Sequence, residues 1–152
     1  MDRNTEAIAK IRRHHAALLE GLREPSEVLL AEVSQGRRGE EAHRELAAFL
    51  AEEILPHAEA EEATIYKRGR EVAELGPLLE AMIAEHGRLR RLASDLKDET
   101  DPARAAAIGY TITELFSIHA DKENDLLLPR LAEEPDVSVH DLLGDMHERL
   151  EG

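Results

Sequence analysis

Residues 55–66 read LPHAEAEEATIY, and residues 119–131 read HADKENDLLLPRL. Each stretch contains a His followed four residues later by a Glu: His57 and Glu61 in the first, His119 and Glu123 in the second. Residues four apart in an α-helix lie on one face, about 6 Å apart along the axis, so each imidazole and its carboxylate can reach the same point. Because apolar residues continue the helical period around both pairs, the pattern predicts two amphipathic helices whose His-Glu pairs face the interior.

The first helix is predicted over about 8–33 and carries His15 on its apolar stripe. The neighbouring His14 is the alternative at this position, and the periodicity favours His15. Pro25 interrupts the pattern and predicts a kink or a split, because proline removes a helical hydrogen bond. The sequence GRRG at 36–39 predicts the end of this helix.

The remaining segments follow the same helical period, and none alternates as a strand would. The second helix is predicted over 46–65, with a kink at Pro56 and an end near Gly69. The third runs from Pro77 to Leu96 and carries His86, the fourth runs from Pro102 to Leu127, and a short last helix begins at Ser138. The sequence therefore predicts an all-α protein, an antiparallel up-down-up-down four-helix bundle over about 3–132 with a C-terminal extension at 133–152. No linker divides the chain, so we expect a single domain over 1–152.

The composition excludes several classes of protein. The chain has 33 acidic and 19 basic residues and a formal net charge of −14, so nucleic acid and anionic membrane surfaces are not expected partners. It has no cysteine, which excludes disulfides, iron–sulfur clusters and thiol nucleophiles and leaves His and carboxylates as metal ligands. The first residues lack the apolar stretch of a secretory signal, so we expect a cytoplasmic protein.

Counting residues to the predicted turns tests whether the inward groups meet at one depth. His15 and His57 lie about 31 and 27 Å of helix from the turn between the first two helices. His57 and His86 lie about 18 and 14 Å from the next turn, and His119 matches His86 less closely, with a difference of about 7 Å. All four helices are therefore expected to contribute to one layer.

Six ionisable groups in one core layer require compensation, since each costs several kcal/mol if it is buried alone. A single inward His is more often an ordinary hydrogen-bonded core residue, and one His-Glu pair alone is weak evidence. The conjunction of two identical pairs with two level histidines indicates a dinuclear metal site. Its imidazoles and carboxylates suit iron or manganese better than calcium, and the predicted ligands are His15, His57, Glu61, His86, His119 and Glu123.

The segments around these residues resemble the hemerythrin-like, or HHE, family of cation-binding domains. The motifs are HHAALLEGL at 14–22, LPHAEAEEATIY at 55–66, AEHGRLRRL at 84–92 and HADKENDLLLPRL at 119–131. The resemblance spans roughly residues 5–132. It implies two non-haem iron ions, with manganese or zinc as substitutes: His15 and His57 would bind one, His86 and His119 the other, and Glu61 and Glu123 would bridge them beside an oxo or hydroxo group.

The chain departs from the oxygen-carrying members of that family on the third helix. Those members have two histidines four residues apart there, whereas His86 is flanked at that spacing by Met82 and Arg90. One expected ligand is missing, and water or an exchangeable ligand would fill its place. Tyr66 and Tyr110 do not lie clearly on inward stripes and are interpreted as structural residues. Four acidic residues are interpreted as a solvated face or as outer partners of the ligand histidines, namely Glu59, Glu62, Asp121 and Asp125.

The pattern and the resemblance favour a protein that binds or senses a small oxidant, namely dioxygen, nitric oxide or peroxide, at a carboxylate-bridged iron pair. Two alternatives use the same metals: a redox enzyme that decomposes peroxide, and a protein that stores iron or donates it for metal-cluster repair. A fourth is an interaction bundle whose polar layer only specifies helix register. Ligand identity indicates the metal more firmly than the reaction, so the sequence leaves open whether the protein is an enzyme.

Overall fold

The computed structural model describes residues 2–152, and helices account for 88% of the chain. The described residues contain no strand. They form five continuous helical segments, which are α1 (Arg3–Ser34), α2 (40–69), α3 (Gly76–Asp98), α4 (102–133) and α5 (Val139–Glu151), with a 3₁₀ turn at Ala73–Leu75 before α3. The all-α prediction is confirmed.

Helix α1 continues through Pro25, so a split at this residue is not observed. Pro25 is itself buried, and the buried side chains of Leu22 and Leu29 hold the turns on both sides of it against the core. Packing of the apolar stripe thus outweighs the hydrogen bond that proline removes. The helix ends before Gly36 and Gly39, whose φ angles of 81° and 66° lie in the left-handed region that glycine adopts without strain.

Helices α2 and α4 contain π segments, in which the backbone hydrogen bonds join residues five apart instead of four apart. The order along α2 is Glu40–Phe49 (α), Leu50–Ile54 (π), Leu55–Glu61 (α), Glu62–Tyr66 (π) and Lys67–Gly69 (α), and along α4 it is Pro102–Lys122 (α), Glu123–Leu127 (π) and Leu128–Glu133 (α). Pro56 and Pro129 each follow a π segment closely. The wider turn accommodates a ring that would otherwise collide with the carbonyl four residues earlier, so α2 continues through Pro56.

The helix starts at Pro102 and Ser138 agree with the prediction. Asp101 caps α4 by accepting a hydrogen bond from the Ala103 N–H at 3.1 Å, and Pro102 follows in the first helical turn. The Ser138 hydroxyl accepts the Asp141 N–H at 3.1 Å and begins α5. These caps satisfy N–H groups that have no partner within the helix.

The core consists of two apolar clusters with a polar layer between them. The first apolar cluster includes Ile11, Ile65, Met82, Leu127, Val139 and Met146, and the second includes Leu18, Leu22, Ile54, Leu89, Leu96 and Phe116. On each of the four long helices, the predicted ligand residues lie between a member of one cluster and a member of the other, as His15 does between Ile11 and Leu18. This alternation brings the predicted ligands to one depth.

Helix α1 packs against α2 and most extensively against α4, while α3 also packs against α4. Helix α5 packs against α1 and α2 and contributes Val139, Leu143 and Met146 to the first apolar cluster. The C-terminal extension therefore covers the core at one end of the polar layer. Among residues 2–152, no helix combines the length and the apolar character needed to cross a bilayer.

Candidate metal centre

Among the described residues, the six predicted ligands are the only histidines, carboxylates or basic side chains that are buried. Their exposed fractions are 1% for His86 and 2% for each of the others, which are His15, His57, Glu61, His119 and Glu123. α1 and α3 each supply one His, whereas α2 and α4 each supply a His-Glu pair separated by one helical turn. The structure thus brings together all six residues that the sequence singled out.

Glu61 contacts histidines on three helices with its two carboxylate oxygens. Its Oε2 lies 3.1 Å from His57 Nε2 and 3.4 Å from His15 Nε2, while its Oε1 lies 3.3 Å from His86 Nε2. One oxygen is thus directed to the histidines of α1 and α2, and the other to the histidine of α3. This is the arrangement that a carboxylate adopts when it spans two ligand groups.

Glu123 divides its oxygens in the same manner. Its Oε1 lies 2.9 Å from His15 Nε2, and its Oε2 lies 3.2 Å from His119 Nε2. The ligand atoms form two overlapping groups, each within 4.8 Å, that share Glu61: one with His15 and His57, the other with His86, His119 and Glu123. We refer to the space beside His15 and His57 as position 1 and to the space beside His86 and His119 as position 2.

Three of the four histidines use Nδ1 to contact a residue outside the layer. His15 Nδ1 lies 2.8 Å from Asn124 Oδ1, His86 Nδ1 lies 2.7 Å from Glu62 Oε2, and His119 Nδ1 lies 2.8 Å from Glu85 Oε1. In each case an acceptor outside the layer favours a proton on Nδ1, so that the Nε2 lone pair faces inward whenever the ring is neutral, as it is when it binds a metal. The outer partners are Asn124, Glu62 and Glu85. Of the four candidates from the sequence only Glu62 is among them, and the other three are exposed and do not contact a ligand histidine through Nδ1: Glu59, Asp121 and Asp125.

His57 provides the sharpest test of whether a cation fits this layer. Neither of its ring nitrogens has a hydrogen-bond partner among the described residues, although the ring is buried. Its Nε2 lies 3.1 Å from Glu61 Oε2 without hydrogen-bond alignment, so the two groups converge on a third point. An unsatisfied buried nitrogen costs about 1–3 kcal/mol, and a cation bound at Nε2 would remove that cost. The donor set of imidazole nitrogens and carboxylate oxygens fits iron, manganese or zinc.

Tyr66 lies in the layer, contrary to its interpretation as a residue off the inward stripe. Its side chain is fully buried. Its hydroxyl donates a short hydrogen bond to Glu123 Oε2, and the same hydroxyl oxygen lies 2.8 Å from His119 Nε2. The ring stacks on His86 with centroids 5.2 Å apart. Tyr66 therefore places an oxygen at position 2, beside His86, whose helix α3 carries no second ligand histidine.

The π segment Glu62–Tyr66 explains why the periodicity missed this tyrosine. In a regular α-helix, five residues rotate the chain by about 500°, so Tyr66 would point about 140° away from Glu61. The wider π turn reduces that angle and directs Tyr66 to the face of Glu61. The Thr64 hydroxyl bonds to the Ala60 carbonyl at 2.7 Å, so this carbonyl has a partner where the regular ladder is altered.

The other candidates on the third and first helices lie outside the layer. Met82 packs in the first apolar cluster, and Arg90 Nη2 donates a hydrogen bond to Glu62 at 2.8 Å. His14 is exposed, with its ring centroid 5.0 Å from that of His57. Partial burial of the ring, together with the charges of the neighbouring histidines His57 and His15, lowers the pKa of His14 to about 4. Of the two adjacent histidines, only His15 faces the carboxylates.

In the metal-free layer, protons offset the buried carboxylate charges. Burial lowers the pKa of His15, but the hydrogen bonds with Glu123 and Glu61 outweigh burial and raise it to about 10. Burial likewise opposes the effect of Glu123 on His119, whose pKa is raised to about 9. Burial raises the pKa of Glu61, but the charge of His57 and the hydrogen bond with His15 bring it well below the ordinary value. Burial and the negative charges of Glu61 and Glu123 raise the pKa of Tyr66.

We expect the metal-free protein to lose stability as the pH rises from about 7 to 10. Protonated His15 and His119 stabilise the folded state fully below their ordinary pKa of 6.5, and this contribution is lost as the pH passes their raised pKa values, about 10 for His15 and about 9 for His119. Glu61, with its lowered pKa, is ionised throughout this range and contributes a constant amount. Urea unfolding of the metal-free protein at several pH values measures the effect, and His119→Gln should reduce it. Equal pH dependence in both proteins would contradict this account.

Comparison with protein families matches residues 6–131 to the family described as Hemerythrin HHE cation binding domain. The match includes all six predicted ligands together with Tyr66, Glu62, Glu85 and Asn124. The predicted resemblance is confirmed. Comparison with curated proteins and with solved structures gives no match.

Proposed function

The chain belongs to the hemerythrin HHE cation-binding domain family, and on this premise we propose that it binds two non-haem iron ions and uses them to bind or sense a small oxidant. In this proposal His15 and His57 hold one ion at position 1, and His86 and His119 hold the other at position 2. Glu61 and Glu123 bridge the two ions. Dioxygen, nitric oxide and peroxide are the candidate ligands.

The observation that supports two ions best is the division of carboxylate oxygens between positions. Glu61 directs Oε2 to position 1 and Oε1 to position 2, and Glu123 directs Oε1 to position 1 and Oε2 to position 2. A single-ion site would not need both carboxylates to span both histidine pairs. The unsatisfied nitrogens of His57 support a ligand at position 1 in particular.

A bound iron pair of this kind supplies redox chemistry and an exchangeable coordination position for a small ligand. The chain's own residues limit what can approach. The six ligand residues and Tyr66 are at most 2% exposed, and an organic substrate would need a cavity of about 300–1,000 Å³. The described clefts of about 550 Å³ beside Asp95 and about 610 Å³ beside Asn4 contain none of these seven residues. Diatomic molecules and peroxide fit this burial.

Two kinds of measurement test this proposal. Elemental analysis of protein produced with iron should give two ions per chain, with the near-ultraviolet absorption of a bridged iron pair. Addition of nitric oxide, dioxygen or peroxide to the reduced protein should then change that spectrum. Fewer than two ions per chain would refute the dinuclear proposal, and sustained peroxide turnover would favour the enzymatic alternative over binding or sensing.

Tyr66 is proposed as an additional oxygen donor at position 2, in the place of the His that α3 lacks. We expect iron-loaded protein to show the visible charge-transfer band of a phenolate bound to ferric iron, and Tyr66→Phe to abolish this band while iron content stays at two per chain. Tyr110→Phe is the matched control, because Tyr110 is 56% exposed. Identical visible spectra for wild-type and Tyr66→Phe protein would refute this role.

We also propose that the helices run up, down, up and down in a single domain over residues 1–152. The alternation of the two apolar clusters supports this order. From the N-terminus to the C-terminus, α1 and α3 pass from the first cluster to the second, as from Met82 to Leu89 in α3. α2 and α4 pass in the opposite direction, as from Ile54 to Ile65 in α2. The family match is consistent with this bundle.

A further inference from the structure

The histidines of position 2 both have charged outer partners. His86 Nδ1 lies 2.7 Å from Glu62 Oε2, and His119 Nδ1 lies 2.8 Å from Glu85 Oε1. Each of these carboxylates is in turn held by a cation, since Arg90 donates to Glu62 at 2.8 Å and Lys122 donates to Glu85. Position 2 is thus surrounded by two chains of the form imidazole, carboxylate, cation.

The histidines of position 1 have no charged outer partner. His15 Nδ1 contacts the neutral amide oxygen of Asn124 at 2.8 Å. His57 Nδ1 has no hydrogen-bond partner in the part of the chain that the structure describes. Tyr66 adds to the difference, since its oxygen lies near His119 and His86 at position 2.

This difference affects metal affinity because outer contacts orient an imidazole and set its strength as a donor. A carboxylate that accepts the Nδ1 proton increases electron density at Nε2 and fixes the ring, and loss of such a partner typically costs about 10–100-fold in metal affinity. A neutral amide orients the ring without adding charge. The bridging carboxylates Glu61 and Glu123 serve both positions, so they do not offset the difference.

We infer that the two positions hold their ions unequally: position 2 retains its ion, and position 1 exchanges its ion readily. Glu62 and Glu85 act as positioning residues for position 2, and the bare Nδ1 of His57 makes position 1 the weaker one. This inference rests on the proposed two-ion site. It predicts a chain from which one ion can be removed while the other stays.

The test is the rate at which ferrous iron leaves the loaded protein for a chromogenic ferrous chelator under anaerobic conditions. Wild-type protein should release two ions per chain in two equal phases, with rates that differ by at least about tenfold. Glu62→Gln and Glu85→Gln should each accelerate the slow phase by about 10–100-fold and leave the fast phase unchanged. Asn124→Ala should change only the fast phase.

Glu59→Gln and Glu80→Gln are the matched controls, because each removes one negative charge from an exposed residue of the same helix as Glu62 or Glu85. Both controls should release iron as the wild type does, and circular dichroism should show intact helices in all variants. Release of two ions in one phase would overturn the inference and leave the two-ion proposal in place. Acceleration of the fast phase by Glu62→Gln and Glu85→Gln would reverse the assignment and also overturn it. Binding of fewer than two ions by the wild-type protein would overturn both the inference of unequal positions and the two-ion proposal.

Discussion

Glu61→Ala is expected to leave the protein without either metal ion after purification. Glu61 is the one residue shared by both groups of ligand atoms, and its oxygens lie 3.1 Å from His57 and 3.3 Å from His86. Its removal takes a ligand from each position at once. Loss of an outer partner can lower metal affinity by about 100-fold, and loss of Glu61 should lower the affinity of both positions by more than that. Elemental analysis after dialysis against a weak chelator measures the outcome.

Glu59→Ala is the control for this experiment, since Glu59 lies two residues earlier on the same helix and is exposed. It removes the same charge but should retain two ions. Because loss of a buried carboxylate beside several histidines can itself disturb folding, Glu61→Gln, which preserves side-chain volume, should be measured in parallel with a helical circular dichroism signal. A folded Glu61→Gln protein that retains two tightly bound ions would contradict the bridging role.

Removal of both metal ions is expected to lower the melting temperature of the wild-type protein by roughly 16–32 °C, or about half that for each ion. Free metal at about 1,000 times its dissociation constant stabilises a folded state by about 4 kcal/mol per site. For a domain of this size, each kcal/mol corresponds to about 2–4 °C. Thermal unfolding followed by circular dichroism, with and without a defined free ferrous concentration under anaerobic conditions, measures the shift.

The Glu61→Ala protein provides the comparison for this second result, since its melting temperature should be independent of added metal. The alternative of an interaction bundle makes a different prediction, because there the polar layer would only specify helix register. Equal melting temperatures for metal-loaded and metal-free wild-type protein would favour that alternative and would count against the metal site.

Helical periodicity was sufficient to predict the layer because its residues lie one turn apart. His57 and Glu61, like His119 and Glu123, are separated by four residues, and their apolar neighbours continue the same stripe on both sides. The structure buries all of them at one depth, although counting along straight helices gave the fourth helix a mismatch of about 7 Å. That these residues bind iron stays a proposal.

The outer partners could not be identified in the same way. Glu85 and Asn124 are only partly buried, and their sequence neighbours do not distinguish them from the many polar residues on solvated helix faces. Their contact with a histidine depends on which helices are adjacent, which a single sequence does not specify. Tyr66 was missed for a different reason, because its position depends on a π segment that regular periodicity does not include.

The π segment that ends at Tyr66 works as a phase shift within one helix. Its turn contains one residue more than an α turn, so the angular register of the chain after it is offset from the register before it by roughly 100°. If residues 62–66 were a regular α-helix of the same length, Tyr66 would point about 140° away from Glu61, whereas deletion of one residue from 62–65 would leave the two four residues apart, about 40° apart on one face. The π conformation of this segment, as much as the identity of its residues, therefore determines how many donor atoms one helix presents to the layer.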